Sequence, residues 1–167
     1  GQPIPDPKKD PAVGGVLVSM TTGGAVNWQP PSFSPQTGFF YVPVSATYAM
    51  FYLTETDPRG AMGLGGASQT ALSSNGTFLA AIDYKTGKTA WRHTYPGVTG
   101  SGGNGVLSTA GGLVFAGDIS GNLVSYNAKD GTILWRARIG SVTNGVRVFN
   151  AFPTMTLLSS RTATLPL

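Results

Sequence analysis

The chain has 167 residues, no cysteine, 24 glycines, 12 prolines and only 11% charged residues, a balance that favours many short strands and tight turns over helices. The missing cysteine excludes disulfides, zinc ribbons and thiol catalysis. The formal net charge of +4 arises after residue 130, where only basic residues follow, namely Arg136, Arg138, Arg147 and Arg161. Four dispersed arginines are too few for a nucleic-acid surface, and no apolar run is long enough to span a membrane.

The first half of the chain predicts one four-stranded sheet. We expect residues 1–13, which are polar and rich in proline, to form a linker or strap. The predicted strands are 32–34, 39–42, 77–82 and 89–95. Residues 44–76 intervene, and their Gly-rich and Ser/Thr-rich composition predicts a long surface excursion. Residues 14–100 are therefore predicted as one propeller-type blade with an insertion over 44–76.

The second half repeats this frame without the insertion. Its predicted strands, separated by Gly, Asp and Asn turns, are 106–109, 113–117, 122–127 and 132–136. Residues 101–140 therefore predict a complete four-stranded blade. Residues 146–149 predict one more strand, whereas 155–167 show neither alternation nor another Gly/Asp turn. We expect 141–167 to form part of a third blade or an irregular tail.

One phrase occurs twice in the chain, at 81–91 and 44 residues later at 125–135. The matching pairs are Asp83 with Asn127, Lys85 with Lys129, Gly87 with Gly131, and Trp91 with Trp135. Repetition at this period is typical of propeller blades, so we interpret both tryptophans as architectural side chains that stack on a neighbouring blade. The predicted fold is all-β, with about two antiparallel four-stranded blades and part of a third. Such a set cannot close a ring, which predicts pairing with the remainder of a propeller or self-association through blade edges.

Several other patterns are better explained by structural roles than by catalysis or ligand binding. Residues 100–105 satisfy Gly-x-Gly-x-x-Gly, but a strand follows where a phosphate-binding loop needs a helix. His93 is the only histidine, and a lone histidine is more often a strand or surface residue than a catalytic base. Asp83, Asp118 and Asp130 fit turns in which the side chain bonds its own backbone, and none has the spacing of a Ca²⁺ loop.

The repeated Asp/Asn-x-Lys-x-Gly-x-x-x-Trp phrase resembles the tryptophan-docking motif of the pyrroloquinoline quinone (PQQ) dependent alcohol and methanol dehydrogenases. Residues 24–43, which contain Asn-Trp-Gln-Pro, are similar to the Asn-Trp-x-Pro segment of that family. Residues 105–117 are similar to the segment that opens its late blade, and the similarity as a whole covers about 14–145. It implies a periplasmic, eight-bladed quinoprotein that oxidises a small alcohol with PQQ as electron acceptor.

The resemblance also implies cofactor-binding residues. Asn27 would hydrogen-bond the quinone and Trp28 would lie near its pocket. From the residues alone, the two would be a strand-start asparagine and a core tryptophan. Asn104, Gly105 and Val106 would bring backbone to the rim of the cofactor, since glycine permits close approach; a plain turn is the alternative.

Two parts of the family's chemistry have no counterpart in this sequence. These are the catalytic Asp base and the ligands of the Ca²⁺ or lanthanide ion beside the quinone. The resemblance therefore implies a C-terminal fragment that supplies one wall of the cofactor pocket, is inactive alone, and leaves the metal to residues outside the chain. The alternative is a non-catalytic propeller module that acts as a scaffold for protein contacts. The Asn-Trp-Gln-Pro segment favours the first interpretation, and the missing acid and metal ligands favour the second.

Overall fold

The computed structural model of the chain describes residues 2, 4, 6–10, 12–54, 67–95, 104–118, 120–140, 147–151 and 154–158, with residues 67, 147–151 and 154–158 described as backbone. These residues form a short 3₁₀ helix (Pro7–Lys9) and eleven strands. The strands are β1 (Val16–Ser19), β2 (Ser32–Ser34), β3 (Phe39–Leu53), β4 (Ala67–Asp83), β5 (Thr89–Tyr95), β6 (Val106–Ser108), β7 (Leu113–Gly117), β8 (Asn122–Asn127), β9 (Ile133–Arg138), β10 (Arg147–Ala151) and β11 (Thr154–Leu158). The predicted all-β class is confirmed.

The first sheet has five strands, and each neighbouring pair is antiparallel. Strands β2, β3, β4 and β5 form the predicted meander. Strand β1 is an addition that pairs with the far end of β3, with Val16 opposite Phe51, whereas β2 pairs with its beginning, with Ser34 opposite Phe39. Residues 20–31 therefore bridge two strands that lie along the same edge of β3.

The described residues within the predicted excursion over 44–76 form strands, and the excursion as an insertion in the blade stays a prediction. Residues 44–53 continue β3 and residues 67–76 continue β4, which makes a long two-stranded extension; residues 55–66 lie outside the described part. The cause is visible in 44–53, which is rich in β-branched and aromatic residues and contains no glycine or proline. Register shifts between Ser45 and Thr47 and between Tyr48 and Ala49 mark irregularities in this ladder.

The second sheet is the uninterrupted meander β6-β7-β8-β9, again antiparallel throughout. Its strands confirm the four that were predicted between 106 and 136. Beyond it, β10 and β11 form a separate two-stranded hairpin. Strand β10 confirms the strand predicted near 146–149, and its partner β11 was not predicted. The division of the chain at residues 13, 100 and 140 stays a prediction.

The repeated phrase builds the same turn in both sheets. In the first sheet, Asp83 Oδ1 accepts hydrogen bonds from the backbone N–H groups of Lys85 (2.8 Å) and Thr86 (2.9 Å). In the second, Asn127 Oδ1 accepts one from Lys129 N–H at 2.9 Å. The Thr86 N–H, followed by that of Lys85, holds the pKa of the Asp83 carboxyl below its ordinary value. An acceptor side chain two residues before the first of these donors is therefore what the turn requires.

Each turn ends in a glycine with a left-handed backbone conformation. Gly87 has φ +68° and Gly131 has φ +74°, a region that glycine enters without a steric penalty. Their N–H groups bond the carbonyl oxygens of Asp83 (2.8 Å) and Asn127 (2.9 Å). The two turns have the same backbone conformation, but the side chains packed against them differ.

The main core lies between the two sheets and centres on Trp91. This indole is 9% exposed, and its Nε1 donates a hydrogen bond to Ala128 O at 3.0 Å. Tyr41 Oη donates to the same oxygen at 2.9 Å, and the Tyr126 ring stacks on Trp91 with centroids 6.3 Å apart. A methyl group on Gly131 would lie 2.6 Å from Cε3 of Trp91. The predicted docking of Trp91 on a neighbouring sheet is thereby confirmed.

The other face of the second sheet carries a smaller apolar cluster, because successive strand residues point to opposite sides. Phe115 and Leu123 are buried there. Trp135 is the counterpart of Trp91 in this sheet, but it is 49% exposed.

The contact between Gly131 and Trp91 predicts a difference between two alanine substitutions. Gly87→Ala adds a methyl group with no heavy atom of the described residues within 4 Å, so its cost is the left-handed backbone alone, about 1–2 kcal/mol. Gly131→Ala has the same backbone cost and also forces the methyl group against the Trp91 ring, for a further loss of about 1–3 kcal/mol. Urea unfolding at low protein concentration measures both. Equal losses would contradict the docking contact.

Candidate functional site

A polar cavity of about 250 Å³ lies between the 20–31 segment and the β3–β4 extension. Ser45 N–H in β3 donates to Ala25 O at 2.9 Å and holds the segment against the edge of the strand. The polar side chains that line the cavity are Thr21, Thr22, Asn27, Gln29, Ser45, Thr47 and Gln69. The described lining is neutral, so it offers hydrogen bonds to a ligand but no charge.

Two pairs of side chains join the walls of this cavity. Gln69 Nε2 in β4 donates to Thr22 Oγ1 at 2.6 Å, and Thr22 N–H donates back to Gln69 Oε1 at 3.3 Å. Thr47 Oγ1 in β3 donates to Thr21 Oγ1 at 3.3 Å. Sequence reasoning missed these residues. Gln69 lies in the part of the chain that was predicted as a surface excursion, so only the correct strand register would have placed it opposite Thr22.

Asn27 lines the cavity, but its amide is engaged in its own loop. Its Nδ2 donates to Gly23 O at 3.1 Å, and its Oδ1 accepts from Trp28 N–H at 2.8 Å. The indole of Trp28 is 64% exposed, so the alternative of a core tryptophan is wrong. Asn27 therefore shapes the segment, and Trp28 presents a flat aromatic face to solvent.

The second predicted segment lies at the start of β6. Gly105 and Val106 are buried, and the Val106 side chain belongs to the core between the sheets. Val106 N–H donates to Pro30 O at 2.9 Å, while Asn104 Nδ2 reaches Asp118 O at 3.5 Å. The backbone bond from Val106 brings this segment against the end of the Asn-Trp-Gln-Pro segment.

A serine pair fixes β2 of the first sheet and β6 of the second sheet beside each other. Ser32 Oγ and Ser108 Oγ are 2.7 Å apart. Ser108 N–H donates to Ser32 Oγ at 2.9 Å, and Ser108 Oγ donates to Phe33 O at 3.0 Å. These residues were not predicted, although both are serines in the first strand of the predicted four-stranded meanders.

His93 lies between the sheets in an aromatic environment. Its ring centroid is 5.4 Å from that of Tyr95 and 5.1 Å from that of Tyr126. Burial lowers the pKa of His93, with Asp118 opposing the shift. Burial also raises the pKa of Tyr126 to about 12 and that of Tyr95 well above its usual value. All three side chains are neutral near pH 7, which suits a packing role.

Asp118 and Asp130 close turns. Asp118 accepts from Asn122 N–H at 2.8 Å and from Asn122 Nδ2 at 2.7 Å, and Asp130 accepts from Thr132 N–H at 2.9 Å. Their predicted role as turn acids is confirmed. Within the described ranges, no three His, Asp or Glu side chains are grouped so that they could hold a metal ion, and no helix is long and apolar enough to cross a membrane.

The geometry defines a class of protein. Two antiparallel meanders pack face to face, and a tryptophan of the first docks on the closing turn of the second, as blades do in a β-propeller. Residues 74–157, about half of the chain, match a PQQ-repeat family model described as outer membrane protein assembly factor BamB. The chain belongs to the quinoprotein dehydrogenase family of propellers, which confirms the resemblance.

Known relatives agree with this assignment. The chain is 35% identical over 153 residues to a 1-butanol dehydrogenase (quinone) from Thauera butanivorans, covering 84% of this chain and 24% of the relative. It is 39% identical over 132 residues to the quinoprotein alcohol dehydrogenase PedH of Pseudomonas putida, covering 75% of this chain and 21% of the relative. A solved europium-containing methanol dehydrogenase aligns with a TM-score of 0.68 and 25% identity, covering 88% of this chain and 27% of the other. The chain thus spans about a fifth to a quarter of the curated relatives that it matches.

The lowered pKa of His93 predicts a pH dependence of stability. Because the folded-state pKa lies below the unfolded value of about 6.5, the unfolded chain takes up the proton first as the pH falls. The contribution of neutral His93 is therefore complete above about pH 6.5 and is lost progressively below it. We expect the urea midpoint to fall between pH 7.5 and pH 5, and to fall less in His93→Gln. Identical pH profiles for the two proteins would contradict this.

Proposed function

We propose that the chain forms part of the propeller of a PQQ-dependent alcohol dehydrogenase and lines one wall of its quinone pocket. The observation that carries this proposal is the 2.9 Å hydrogen bond from Val106 N–H to Pro30 O. It joins the two segments that the family resemblance assigns to the quinone. Asn27 and Trp28 lie just before Pro30, and residues 104–105 lie just before Val106.

The residues present fit part of what the quinone needs. PQQ is a planar aromatic molecule with carboxylate and carbonyl oxygens at its edges. The exposed indole of Trp28 provides a flat face for stacking, and hydroxyl and amide groups such as those of Thr22 and Gln69 provide donors. Since the described lining is neutral, the charges that balance the carboxylates have to come from elsewhere. The described residues therefore fit one wall of a quinone pocket.

When bound, the quinone accepts the electrons that an alcohol loses on oxidation to an aldehyde or ketone. The residues of this chain bind and orient the quinone. Trp28 shields one face of the ring from water, while Asn27 holds the loop that presents it. The buried residues Gly105 and Val106 fix the distance between that loop and the second sheet. The Ca²⁺ or lanthanide ion and the catalytic base are assigned to residues outside the chain, which is expected not to turn over alcohol alone.

The remaining assignments follow from the family. A small alcohol is the proposed substrate of the parent enzyme, the rest of the propeller is the proposed partner, and the periplasm is the proposed location. The names of the similar proteins support alcohol oxidation as the reaction class.

A non-catalytic scaffold is the second candidate, and one observation favours it. The matching family model carries the description of an assembly factor, and its match begins at residue 74. It therefore leaves out Asn27 and Trp28, the residues that distinguish a quinone pocket from a plain propeller. Cofactor binding separates the two candidates.

Isothermal titration of PQQ with Ca²⁺ into the purified chain tests the proposal. We expect binding, and we expect Trp28→Ala to weaken it by roughly tenfold because the stacking face is lost. Asn27→Ala should weaken it as well, because the loop loses the bonds to Gly23 and Trp28. Trp135→Ala is the matched control, since it also removes a largely exposed indole but lies on the second sheet. Absent binding, or equal affinity in all variants, would favour the scaffold.

A further inference from the structure

A turn over residues 21–24 comes directly before the loop that carries Asn27. Gly24 N–H donates to Thr21 O at 2.8 Å, and Gly24 has a φ of +70°, which closes the turn. The carbonyl oxygen of Gly23, inside the turn, accepts the hydrogen bond from Asn27 Nδ2 at 3.1 Å. The position of the Asn27 amide therefore depends on where the 21–24 turn lies.

Gln69 holds this turn from the far side of β3. Strands β1 and β2 pair along one edge of β3, and β4 pairs along the other. Because the 20–31 segment joins β1 to β2, its contact with Gln69 in β4 has to cross β3. Thr47 in β3 supports the turn on the way, since Thr21 N–H donates to Thr47 Oγ1 at 3.4 Å. The extension of β3 and β4 thus provides the surface on which the turn rests.

The amide of Gln69 is matched to Thr22 in both directions. Its Oε1 accepts from Thr22 N–H at 3.3 Å, and its Nε2 donates to Thr22 Oγ1 at 2.6 Å. Two bonds of opposite direction fix the orientation of the amide as well as its distance from the turn. Both residues are exposed, so water replaces these bonds at a small cost in stability when one partner is removed. The main effect of the pair is therefore on the placement of the turn.

We propose that Gln69 is a positioning residue that sets the Asn27 and Trp28 loop through its paired bonds to Thr22. The contacts form a continuous series, from Gln69 to the 21–24 turn, from the turn to the Asn27 amide, and from Asn27 Oδ1 to Trp28 N–H. This inference rests on the proposed function, to which it adds a role for the β3–β4 extension in aiming the stacking face at the quinone.

Titration of PQQ with Ca²⁺ into variants of the chain tests the consequence for binding. Gln69→Met keeps the length of the side chain and removes both bonds, and we expect it to weaken PQQ binding roughly threefold to tenfold. Thr22→Val should weaken it less, because the backbone N–H can still bond Gln69 Oε1. Thr22→Ser retains the hydroxyl and should bind like the unaltered chain. Unaltered affinity in Gln69→Met would overturn the proposal.

Coupling between substitutions separates positioning from a direct contact, because Gln69 Nε2 carries a second proton that a bound quinone could accept. If Gln69 acts by aiming the indole of Trp28, its substitution matters little once that indole is absent. We expect Gln69→Met to weaken PQQ binding by less than about twofold in the Trp28→Ala background. An equal loss in both backgrounds would mean that the two residues act independently, and it would contradict the positioning role.

A measurement without PQQ keeps this inference distinguishable from the proposed function. In ¹⁵N NMR spectra, the side-chain amide of Asn27 reports its bond to Gly23 O, and the Trp28 N–H reports its bond to Asn27 Oδ1. We expect Gln69→Met to shift both signals and to lower the backbone order parameters of the two residues from about 0.85 toward 0.6. Unchanged signals would overturn the inference even if PQQ binds. Changed signals in a chain that does not bind PQQ would support the positioning and contradict the quinone function alone.

Gln36→Met is the matched control for these experiments. Gln36 is another exposed glutamine, and its Oε1 accepts a hydrogen bond from Ser34 Oγ at 3.0 Å. It lies between β2 and β3 and outside the residues that line the cavity. We expect its PQQ affinity and the signals of the Asn27 loop to match those of the unaltered chain. A loss as large as that of Gln69→Met would indicate a general effect of the substitution and would count against the proposal.

Discussion

The contact of Trp91 with the turn at Gly131 is the interaction on which the rest of the structure depends. It combines three physical requirements in one place. The turn needs a residue that tolerates a positive φ, the indole needs a surface without a Cβ, and its N–H needs an acceptor once it is buried. Gly131 meets the first two, and the carbonyl of Ala128 meets the third at 3.0 Å. Tyr41 Oη donates a second hydrogen bond to the same carbonyl.

The candidate site is a consequence of this docking. A sheet that is apolar on one face has to bury that face against another element, and the docking buries the facing sides of both sheets in one core. It also places β2 beside β6, where the Ser32–Ser108 pair and the bond from Val106 to Pro30 form. Segments that are far apart in the sequence, such as 27–30 and 104–106, therefore meet because of a contact made elsewhere. A change at Gly131 should disturb the site without touching it.

Features that depend on local pattern could be predicted from the sequence, and features that depend on register could not. Turn residues and the pattern of short β-rich runs predicted all four strands of the second sheet, and the repeated phrase predicted the role of Trp91. The β3–β4 extension was missed because Ser/Thr-rich residues near Gln69 are compatible with a loop or with a solvent-facing strand. The cavity then depends on which residue of β4 faces Thr22, and two register shifts decide that. Exposure is equally non-local: nothing beside Trp28 in the sequence indicates that its indole faces solvent.

The two tryptophans of the repeated phrase show that such a motif specifies half of a contact. Trp91 and Trp135 have the same sequence context and the same strand position, yet one is 9% and the other 49% exposed. The difference lies in the partner, because Trp91 lies against Gly131 and donates to Ala128 O, and both residues belong to the other sheet. The motif therefore fixes the tryptophan and its strand position, while burial of the indole depends on a turn that a neighbouring sheet supplies. The cavity around Asn27 shares no residue with this contact. The proposed cofactor binding and the docking of the sheets therefore rest on different residues of the same fold.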